Sequence, residues 1–308
     1  MRVTFRLTHI LSSLFILNLL VFLAVAFLIL EIKKNQVYTI DADTAPLTLP
    51  FLSDSIKKID VSSRAYIIYD PTSREIISGK NEKLRFSPAS STKIMTAIIA
   101  LEEYSLNDVL TAMGVEEIEG SKMKLEEGEA ITVENLLYGL MLPSGNDASY
   151  VLASSYQPAG RHGNGGETAF VARMNKKARQ LKLSNTNFAD HSGYSDENYT
   201  TAYDLARLAS YALNNQKFAR IVATKNKVVT DVTGSITHDL SNLNELLGSK
   251  GISGVKTGFT EEAQGVLVSS VERDNRVYII VVLGSSDRFI DTQNIIEQAV
   301  EKITLISY

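Results

Sequence analysis

The sequence predicts an α/β fold in which strands from both ends of the chain build one sheet and a mainly helical region is inserted between them. Short apolar segments bounded by turn residues, a pattern typical of strands, occur within 65–78 and again within 254–283. Between them, apolar residues recur at the three- and four-residue spacing of amphipathic helices. We expect the insertion to pack beside the sheet and to leave a cleft at the seam.

The N-terminal part of this sheet is predicted to be a hairpin. Residues 65–69 and 75–78 have the composition typical of strands, and the segment between them, Asp70-Pro71-Thr72-Ser73, consists of residues that favour turns. A helix follows, and its apolar part, residues 94–101, is predicted to be buried. It begins just after Pro88, because a proline restricts the residue before it to an extended conformation.

The remaining elements are predicted from the same strand and helix patterns. Residues 122–131 indicate a loop or small hairpin, and Gly160–Gly166 a surface loop. The segment 277–283 is apolar throughout, as a central strand should be. The predicted helices are 133–141, 147–156, 168–181, 202–214 and 287–303, and the predicted later strands are 227–231, 254–259, 265–271 and 277–283.

An uncharged stretch near the N-terminus predicts a membrane anchor. Residues 7–30 carry no formal charge, and a helix of that length, about 36 Å, exceeds the roughly 30 Å hydrocarbon layer. Ala24-Val25-Ala26 resembles a cleavage site, so a removed signal peptide stays open as the alternative.

The chain is therefore expected to have three parts. Residues 1–35 form an N-terminal signal-anchor, residues 36–60 a linker without sustained periodicity, and residues 61–308 the folded domain. The net charge is −4, and the anchor region to Asn35 contributes +3, which leaves −7 for the remainder. This acidic balance argues against nucleic acid as a partner.

The first candidate site is Ser90-x-x-Lys93 at the start of the buried helix. Residues three apart share a helix face, so the hydroxyl and the amine can meet. A serine needs a base to become a nucleophile, and a lysine can serve only where burial and positive charge depress its pKa. Taken alone, the pair also fits a helix cap followed by a solvated lysine.

Two further motifs can supply the rest of a peptide-binding site. Ser144-Gly145-Asn146 lies between two predicted helices, where the hydroxyl can relay a proton and the amide can bind a carbonyl. Lys256-Thr257-Gly258 lies on a predicted strand. Its lysine and hydroxyl can hold a carboxylate, and its glycine permits close approach of a substrate backbone. Alone, the first motif also fits a simple turn and the second a solvated strand edge.

Together, these three motifs resemble the active-site set of penicillin-recognising serine enzymes. More closely, the chain resembles the bacterial D-alanyl-D-alanine carboxypeptidases, the low-molecular-weight penicillin-binding proteins of peptidase family S11. The likeness extends from about Ala65 to Asp287. It includes Pro88-Ala89-Ser90, the segment 132–140, 144–148, Met174-Asn175, 186–188, His191-Ser192-Gly193, 201–204 and 254–258.

The resemblance implies a β-lactamase/transpeptidase-like fold, an antiparallel sheet flanked by helices with the helical insertion, and a role for each motif residue. Ser90 would be acylated, Lys93 would accept its proton, Ser144 would relay protons and Asn146 would bind the substrate carbonyl. On the strand, Lys256 and Thr257 would hold the terminal carboxylate, with Gly258 beside it. The backbone N–H groups of Ser90 and Phe259 would form the oxyanion hole.

The implied reaction is removal of the terminal D-Ala from peptidoglycan stem peptides ending in D-Ala-D-Ala, outside the cytoplasm, with β-lactams as inhibitors. The domain 61–308 would be catalytic and held at the membrane by residues 7–30, or secreted if that segment is cleaved. The alternatives are a β-lactamase or D,D-endopeptidase using the same site, and an inactive cell-wall-binding module. Gly145, where the β-lactamase motif has aspartate, favours the carboxypeptidase. Phe259 stands where relatives often carry histidine.

Other chemistries are disfavoured by the residue types present. Cysteine is absent, and the four histidines show no metal-ligand spacing, so we expect neither a metal nor a cofactor. No Gly-x-Ser-x-Gly elbow occurs. His191 is a candidate general base, although a structural histidine near the cleft wall is the preferred interpretation.

Overall fold

Five antiparallel strands, in the order β3-β2-β10-β9-β8, form the central sheet of the computed structural model, which describes residues 48–53, 59–158 and 165–307. The described strands are β1 (Thr48–Phe51), β2 (Ala65–Asp70), β3 (Glu75–Lys80), β4 (Val109–Thr111), β5 (Ala130–Thr132), β6 (Asn226–Thr230), β7 (Thr237–Ser241), β8 (Ile252–Thr260), β9 (Gln264–Arg273), β10 (Arg276–Ser285) and β11 (Thr304–Ser307).

The two ends of the chain meet inside this sheet, as predicted. The C-terminal strand β10 pairs with the N-terminal strand β2 in the register Val281↔Ile67, and it pairs with β9 on its other side. The apolar segment 277–283 is thus the middle strand. Its side chains alternate between two cores, with Val281 on one face of the sheet and Ile280 on the other.

Helices cover both faces of the sheet. The described helices are α1 (Lys93–Glu103), α2 (Val133–Met141), α3 (Asn146–Ser154), α4 (Glu167–Gln180), α5 (Ala202–Leu213), α6 (Gln216–Val222) and α7 (Arg288–Gln298). Ile295 and Ile296 of α7 pack in the core that contains Ile280. The other core is larger and contains the buried face of α1, including Ile94 and Ile99.

The inserted helical region forms between β3 and β8, as the sequence predicts. Helices α1 to α6 share one core there with the hairpins β4–β5 and β6–β7. Two helix starts have side-chain caps at threonine. Thr132 accepts a hydrogen bond from the N–H of Asn135, and Thr201 accepts one from the N–H of Asp204.

Three parts of the described structure differ from the sequence prediction. The last helix ends at Gln298 and is followed by a 3₁₀ turn (Val300–Lys302) and β11, so the helix predicted to reach residue 303 is wrong at its end. Helix α6 and strands β4, β7 and β11 were not predicted. Strand β1, which lies within the predicted linker, pairs with β11.

Several predictions fall on residues outside the described part of the chain. The anchor 1–35, including 7–30, and linker residues 36–47 and 54–58 lie there, as do residues 159–164 of the glycine-rich loop. Within residues 48–53, 59–158 and 165–307, no helix has the length and apolar character needed to cross a bilayer.

Candidate active site

Ser90 lies in a 3₁₀ turn (Ala89–Thr92) that runs directly into α1. The residue before it, Ala89, has a positive φ of 45°, which is unusual for a residue with a side chain. A second loop packs against this turn, because a Cβ on Gly193 would overlap the carbonyl oxygen of Ala89. The turn that presents the serine is therefore held between α1 and the Gly193 loop.

The Lys93 amine is completely buried and has three partners. Its Nζ lies 3.0 Å from Ser90 Oγ, 2.6 Å from Asn146 Oδ1 and 2.8 Å from the carbonyl oxygen of Ser192. The amide and carbonyl oxygens can only accept hydrogen bonds. A neutral amine that donates to both keeps one lone pair, and the remaining partner for it is the Ser90 hydroxyl. The geometry therefore allows Lys93 to receive the serine proton.

Burial is also what makes this amine a base at neutral pH. Loss of hydration lowers the pKa of Lys93 from 10.5 to about 7, although the negative charges of Asp190 and Asp147 act in the opposite direction. An amine with this pKa is about half deprotonated at pH 7, without help from an external base.

Asn146 is held by backbone groups on both sides. Its side-chain Nδ2 donates to the carbonyl of Glu119 at 2.7 Å, and its backbone N–H donates to the carbonyl of Ser121 at 2.6 Å. This fixes the amide so that Oδ1 faces Lys93. The structure thus brings the second motif to the first.

Ser144 and Gly145 occupy a tight turn before α3. Ser144 has φ 65°, is buried, and its hydroxyl has no hydrogen-bond partner among the described residues. A Cβ on Gly145 would lie 2.7 Å from Asp147 Oδ1 and 2.8 Å from the carbonyl oxygen of Gly139. There is no space for the aspartate that the β-lactamase motif carries here unless this turn shifts.

The third motif lies on β8, the edge strand of the sheet, directly against the Ser90 turn. A Cβ on Gly258 would lie 3.1 Å from the backbone nitrogen of Ser90 and 3.1 Å from the Cβ of Ala89. Glycine therefore allows the strand to approach the nucleophile. Phe259 follows it and is exposed.

Lys256 is buried like Lys93 but is bonded differently. Among the described residues, its amine donates to the carbonyl of Thr257 alone, at 3.0 Å. Burial lowers the pKa of Lys256 well below its usual value, and the nearby charges of Lys93 and Arg288 lower it further. A bound anion would reverse this effect.

A cleft of about 460 Å³ opens over the nucleophile. Ser90, Asn146 and Phe259 line it, and Lys93, Ser144, Lys256 and Thr257 are buried. The other lining residues are Gly120, Ser121, Gly193, Tyr194, Asp196, Thr260, Glu261 and Glu262. One residue of the first motif, one of the second and the residue that follows the third therefore line one cleft.

Comparison with known proteins identifies the family to which this constellation belongs. The sequence profile of the D-alanyl-D-alanine carboxypeptidases, peptidase family S11, matches residues 53–287. The chain belongs to this family. It is 34% identical over 232 residues to the D-alanyl-D-alanine carboxypeptidase DacF of Bacillus subtilis, which covers 73% of this chain and 58% of the relative.

A sequence and a crystal structure from Streptomyces K15 are also similar to this S11 family member. A D-alanyl-D-alanine carboxypeptidase of Streptomyces sp. strain K15 is 40% identical over 220 residues, covering 66% of this chain and 74% of the relative. The crystal structure of the Streptomyces K15 DD-transpeptidase matches with a TM-score of 0.73 and 32% identity, covering 78% of this chain and 98% of that one. The antiparallel sheet with its helical insertion is thus the penicillin-binding transpeptidase fold.

His191 makes structural contacts through both ring nitrogens. Nδ1 lies 2.8 Å from Ser149 Oγ, and Nε2 lies 3.0 Å from Glu167 Oε2. Its carbonyl accepts hydrogen bonds from Thr96 Oγ1 and Ser149 Oγ. Both ring nitrogens are thus already engaged away from Ser90, which favours the structural interpretation.

The sequence analysis missed three groups around Lys93. They are the carbonyl of Ser192, which bonds its amine, and the carboxylates of Asp147 and Asp190, whose charge acts on it. An aspartate two residues before Ser192-Gly193 is typical of a turn, and this was the available signal for Asp190. Among the described residues, no group of three or more histidines and carboxylates is arranged to hold a metal ion.

Proposed function

We propose that this protein is a serine-type D-Ala-D-Ala carboxypeptidase that removes the terminal D-Ala of peptidoglycan stem peptides through an acyl-Ser90 intermediate. The observation that carries the proposal is the 3.0 Å approach of a buried, weakly basic lysine amine to a serine at the floor of an open cleft. Family membership supplies the expected bond, an amide between two D-alanines.

In the proposed acylation step, Lys93 takes the proton of Ser90 while Oγ attacks the carbonyl carbon of the penultimate D-Ala. The negative oxygen would be bound by the backbone N–H groups of Ser90 and Phe259. The C–N bond then breaks, and the proton passes through the Ser144 hydroxyl to the leaving amine of D-Ala. The product is an ester on Ser90, which water hydrolyses to return the free serine.

Substrate binding is assigned to the second and third motifs. Lys256 and Thr257 would hold the terminal carboxylate, Gly258 gives the room for the peptide, and Asn146 would bond a substrate carbonyl. The carboxylate would favour the charged form of Lys256, whose single hydrogen bond leaves donors for it. A β-lactam would acylate Ser90 in the same way and remain as an inhibitor.

We also propose the placement of the enzyme in the cell. Residues 7–30 would anchor it in the membrane, residues 36–60 would act as linker, and the catalytic domain 61–308 would work outside the cytoplasm. The uncharged segment supports this assignment. If the segment is cleaved, the domain is secreted.

Acyl transfer to an amine instead of water is the second candidate. The observation that favours it is the similarity to a protein named DD-transpeptidase. The two reactions share every step up to the Ser90 ester, so they differ only in which acceptor enters the cleft.

Labelling with a fluorescent penicillin tests the proposal. The full chain, purified in detergent, should gain one covalent label, and peptide mass spectrometry should place it on Ser90. Ser90→Ala should abolish the label, while Ser91→Ala, a neighbouring hydroxyl that bonds the Pro88 carbonyl, should keep it. Absence of label on the folded wild-type protein would overturn the proposal. Release of D-Ala from a stem pentapeptide, with or without an added amine, separates the two candidates.

A further inference from the structure

Asp190 organises the loop that covers one side of the Ser90 turn. Its Oδ1 accepts hydrogen bonds from the N–H groups of Ser192 at 2.6 Å and Gly193 at 2.5 Å. Its Oδ2 accepts from the N–H of Ser195 and from Asn198 Nδ2 at 3.0 Å. One carboxylate thus receives bonds from four residues and closes residues 190–198 into a compact loop.

This loop touches the catalytic pair at two points. The carbonyl of Ser192 accepts a hydrogen bond from Lys93, and Gly193 packs against the carbonyl of Ala89, next to the nucleophile. Both contacts come from residues whose backbone N–H is bonded to Asp190. The direction of the Ser192 carbonyl is consequently set by the Asp190 carboxylate, although Asp190 itself has no hydrogen bond to Ser90 or Lys93 among the described residues.

The same carboxylate is a nearby negative charge. Burial acts to raise the pKa of Asp190, but hydrogen bonds from the backbone N–H groups of Ser195, Gly193 and Ser192 hold it below its usual range. Asp190 is therefore ionised at neutral pH, and its charge raises the pKa of Lys93. The other charged or titratable groups near the pair are Asp147 on α3, Lys256 on β8, and His191 with Glu167 beside the loop.

We propose that Asp190 is a positioning residue for acylation, which orients the Ser192 carbonyl towards the Lys93 amine and places a fixed negative charge beside it. The inference deepens the proposed function and rests on it. It assigns two separable effects to one side chain. The hydrogen bonds set how well Lys93 is aligned on Ser90, and the charge sets the pH at which Lys93 loses its proton.

The test is the pH dependence of acylation by a fluorescent penicillin in two Asp190 variants. Asp190→Asn keeps the size but removes the charge and half of the accepting capacity. The maximal acylation rate, the plateau of the pH profile, should fall about tenfold or more. The acidic limb, where the rate declines as the pH falls, should move to lower pH because protonated Lys93 loses a stabilising anion. Asp190→Glu keeps the charge but misplaces the carboxylate, so the plateau should fall without a comparable shift of the limb.

Asp204→Asn is the matched control. Asp204 is also buried and also anchors a loop, through the N–H of Asn185 at 2.8 Å and Thr186 Oγ1 at 3.0 Å. Its charge is not among those that act on Lys93. The control should retain a plateau within about twofold of wild type and an unshifted limb.

A lower plateau with an unshifted limb in Asp190→Asn would overturn the charge assignment, and an unchanged plateau would overturn the positioning role. If Asp190→Asn does not fold, Asn198→Ala replaces it, because this substitution removes one hydrogen-bond donor to Asp190 and keeps the Asp190 charge. The plateau rate of Asn198→Ala must then fall without a shift of the acidic limb, or the inference is wrong. A wild-type protein without label would instead refute the proposed function, so the two failures are distinguishable.

Discussion

Two buried lysines, Lys93 and Lys256, lie close enough for the charge of one to act on the other, and their hydrogen-bond partners differ. The Lys93 amine has three partners from three segments, Ser90, Asn146 and Ser192. The Lys256 amine has one partner among the described residues, the carbonyl of its neighbour Thr257. Burial lowers the pKa of both.

The comparison shows how one physical cause supports two roles. Around Lys93 the accepting groups are complete without a ligand, so the amine is preorganised as a base. Around Lys256 the amine keeps N–H donors without a partner among the described residues, and burial makes its charged form costly until an anion arrives. Lys93 should therefore control the rate of the chemical step, and Lys256 should control the binding of the carboxylate.

Removal of the base should have the largest effect. Lys93→Met should lower the acylation rate by about 10²–10⁴-fold, the usual contribution of a positioned general base. Stopped-flow measurement with a fluorescent penicillin gives this rate directly. Lys177→Met is the control, because Lys177 pairs with Glu102 on the surface of the helical region and should leave the rate unchanged. A loss below about fivefold in Lys93→Met would deny it the role of base.

The same variant should change the pH dependence of stability. With a pKa of about 7 folded and about 10.5 unfolded, Lys93 binds more protons in the unfolded state between these values. The wild-type free energy of unfolding should therefore rise with pH across this window, by up to about 5 kcal/mol from this group. Denaturant unfolding at several pH values should show that Lys93→Met lacks this rise; parallel curves for both proteins would contradict the assignment.

Removal of the Lys256 amine should weaken substrate binding. Lys256→Met should raise the KM for a peptide ending in a free carboxylate by about 10–100-fold, the worth of a charge-assisted hydrogen bond, with a smaller effect on kcat. The same peptide with an amidated C-terminus provides the internal control, since it has no carboxylate to lose. Equal losses for both peptides would show that Lys256 does not bind the carboxylate.

Pushing β8 away from the nucleophile should have an intermediate effect. In Gly258→Ala, the new Cβ would meet Ser90 N and Ala89 Cβ, and we expect about a tenfold loss of acylation, or ~1.4 kcal/mol in the barrier. Gly79→Ala on β3 is the matched control, because its new Cβ would meet only the flexible Glu82 side chain. Equal rates in the two variants would mean that close approach of β8 is unimportant.

Substitution of the histidine should have the smallest effect. His191→Gln should change the acylation rate by less than about threefold, because the ring bonds Ser149 and Glu167 instead of the catalytic pair. Thermal unfolding should detect a loss of stability from the broken buried hydrogen bond. A rate loss of a hundredfold in a folded variant would instead restore His191 as a general base.

Residue spacing alone predicted only the part of the site that a single element determines, and the family resemblance supplied the other two motifs. Ser90 and Lys93 meet because they are three residues apart at a helix start, and that spacing is visible in the chain. The other two partners of Lys93 are 53 and 99 residues away, and the packing of α3 and of the 190–198 loop beside α1 brings them together. The Ser192 carbonyl has no side-chain signature, so a residue pattern cannot reveal it.

The elements of the fold, too, were predicted where a single segment carries a clear pattern of its own. The apolar run of β10 predicted a central strand, because only a strand covered on both faces can be apolar throughout. Strand β7 was missed because its burial alternates over only five residues, with His238 and Leu240 inward. Helix α6 has seven residues and begins at the cap Asn215, immediately after α5, so its pattern was too short to separate.

The central claim is that the amine beside Ser90 loses its proton near neutral pH. Selective ¹⁵N labelling of lysine and NMR titration of the full chain, with Lys93→Met to assign the signal, measures this directly. The account predicts that the Lys93 amine titrates with a midpoint of about 7. A midpoint near the ordinary lysine value of about 10.4 would contradict it.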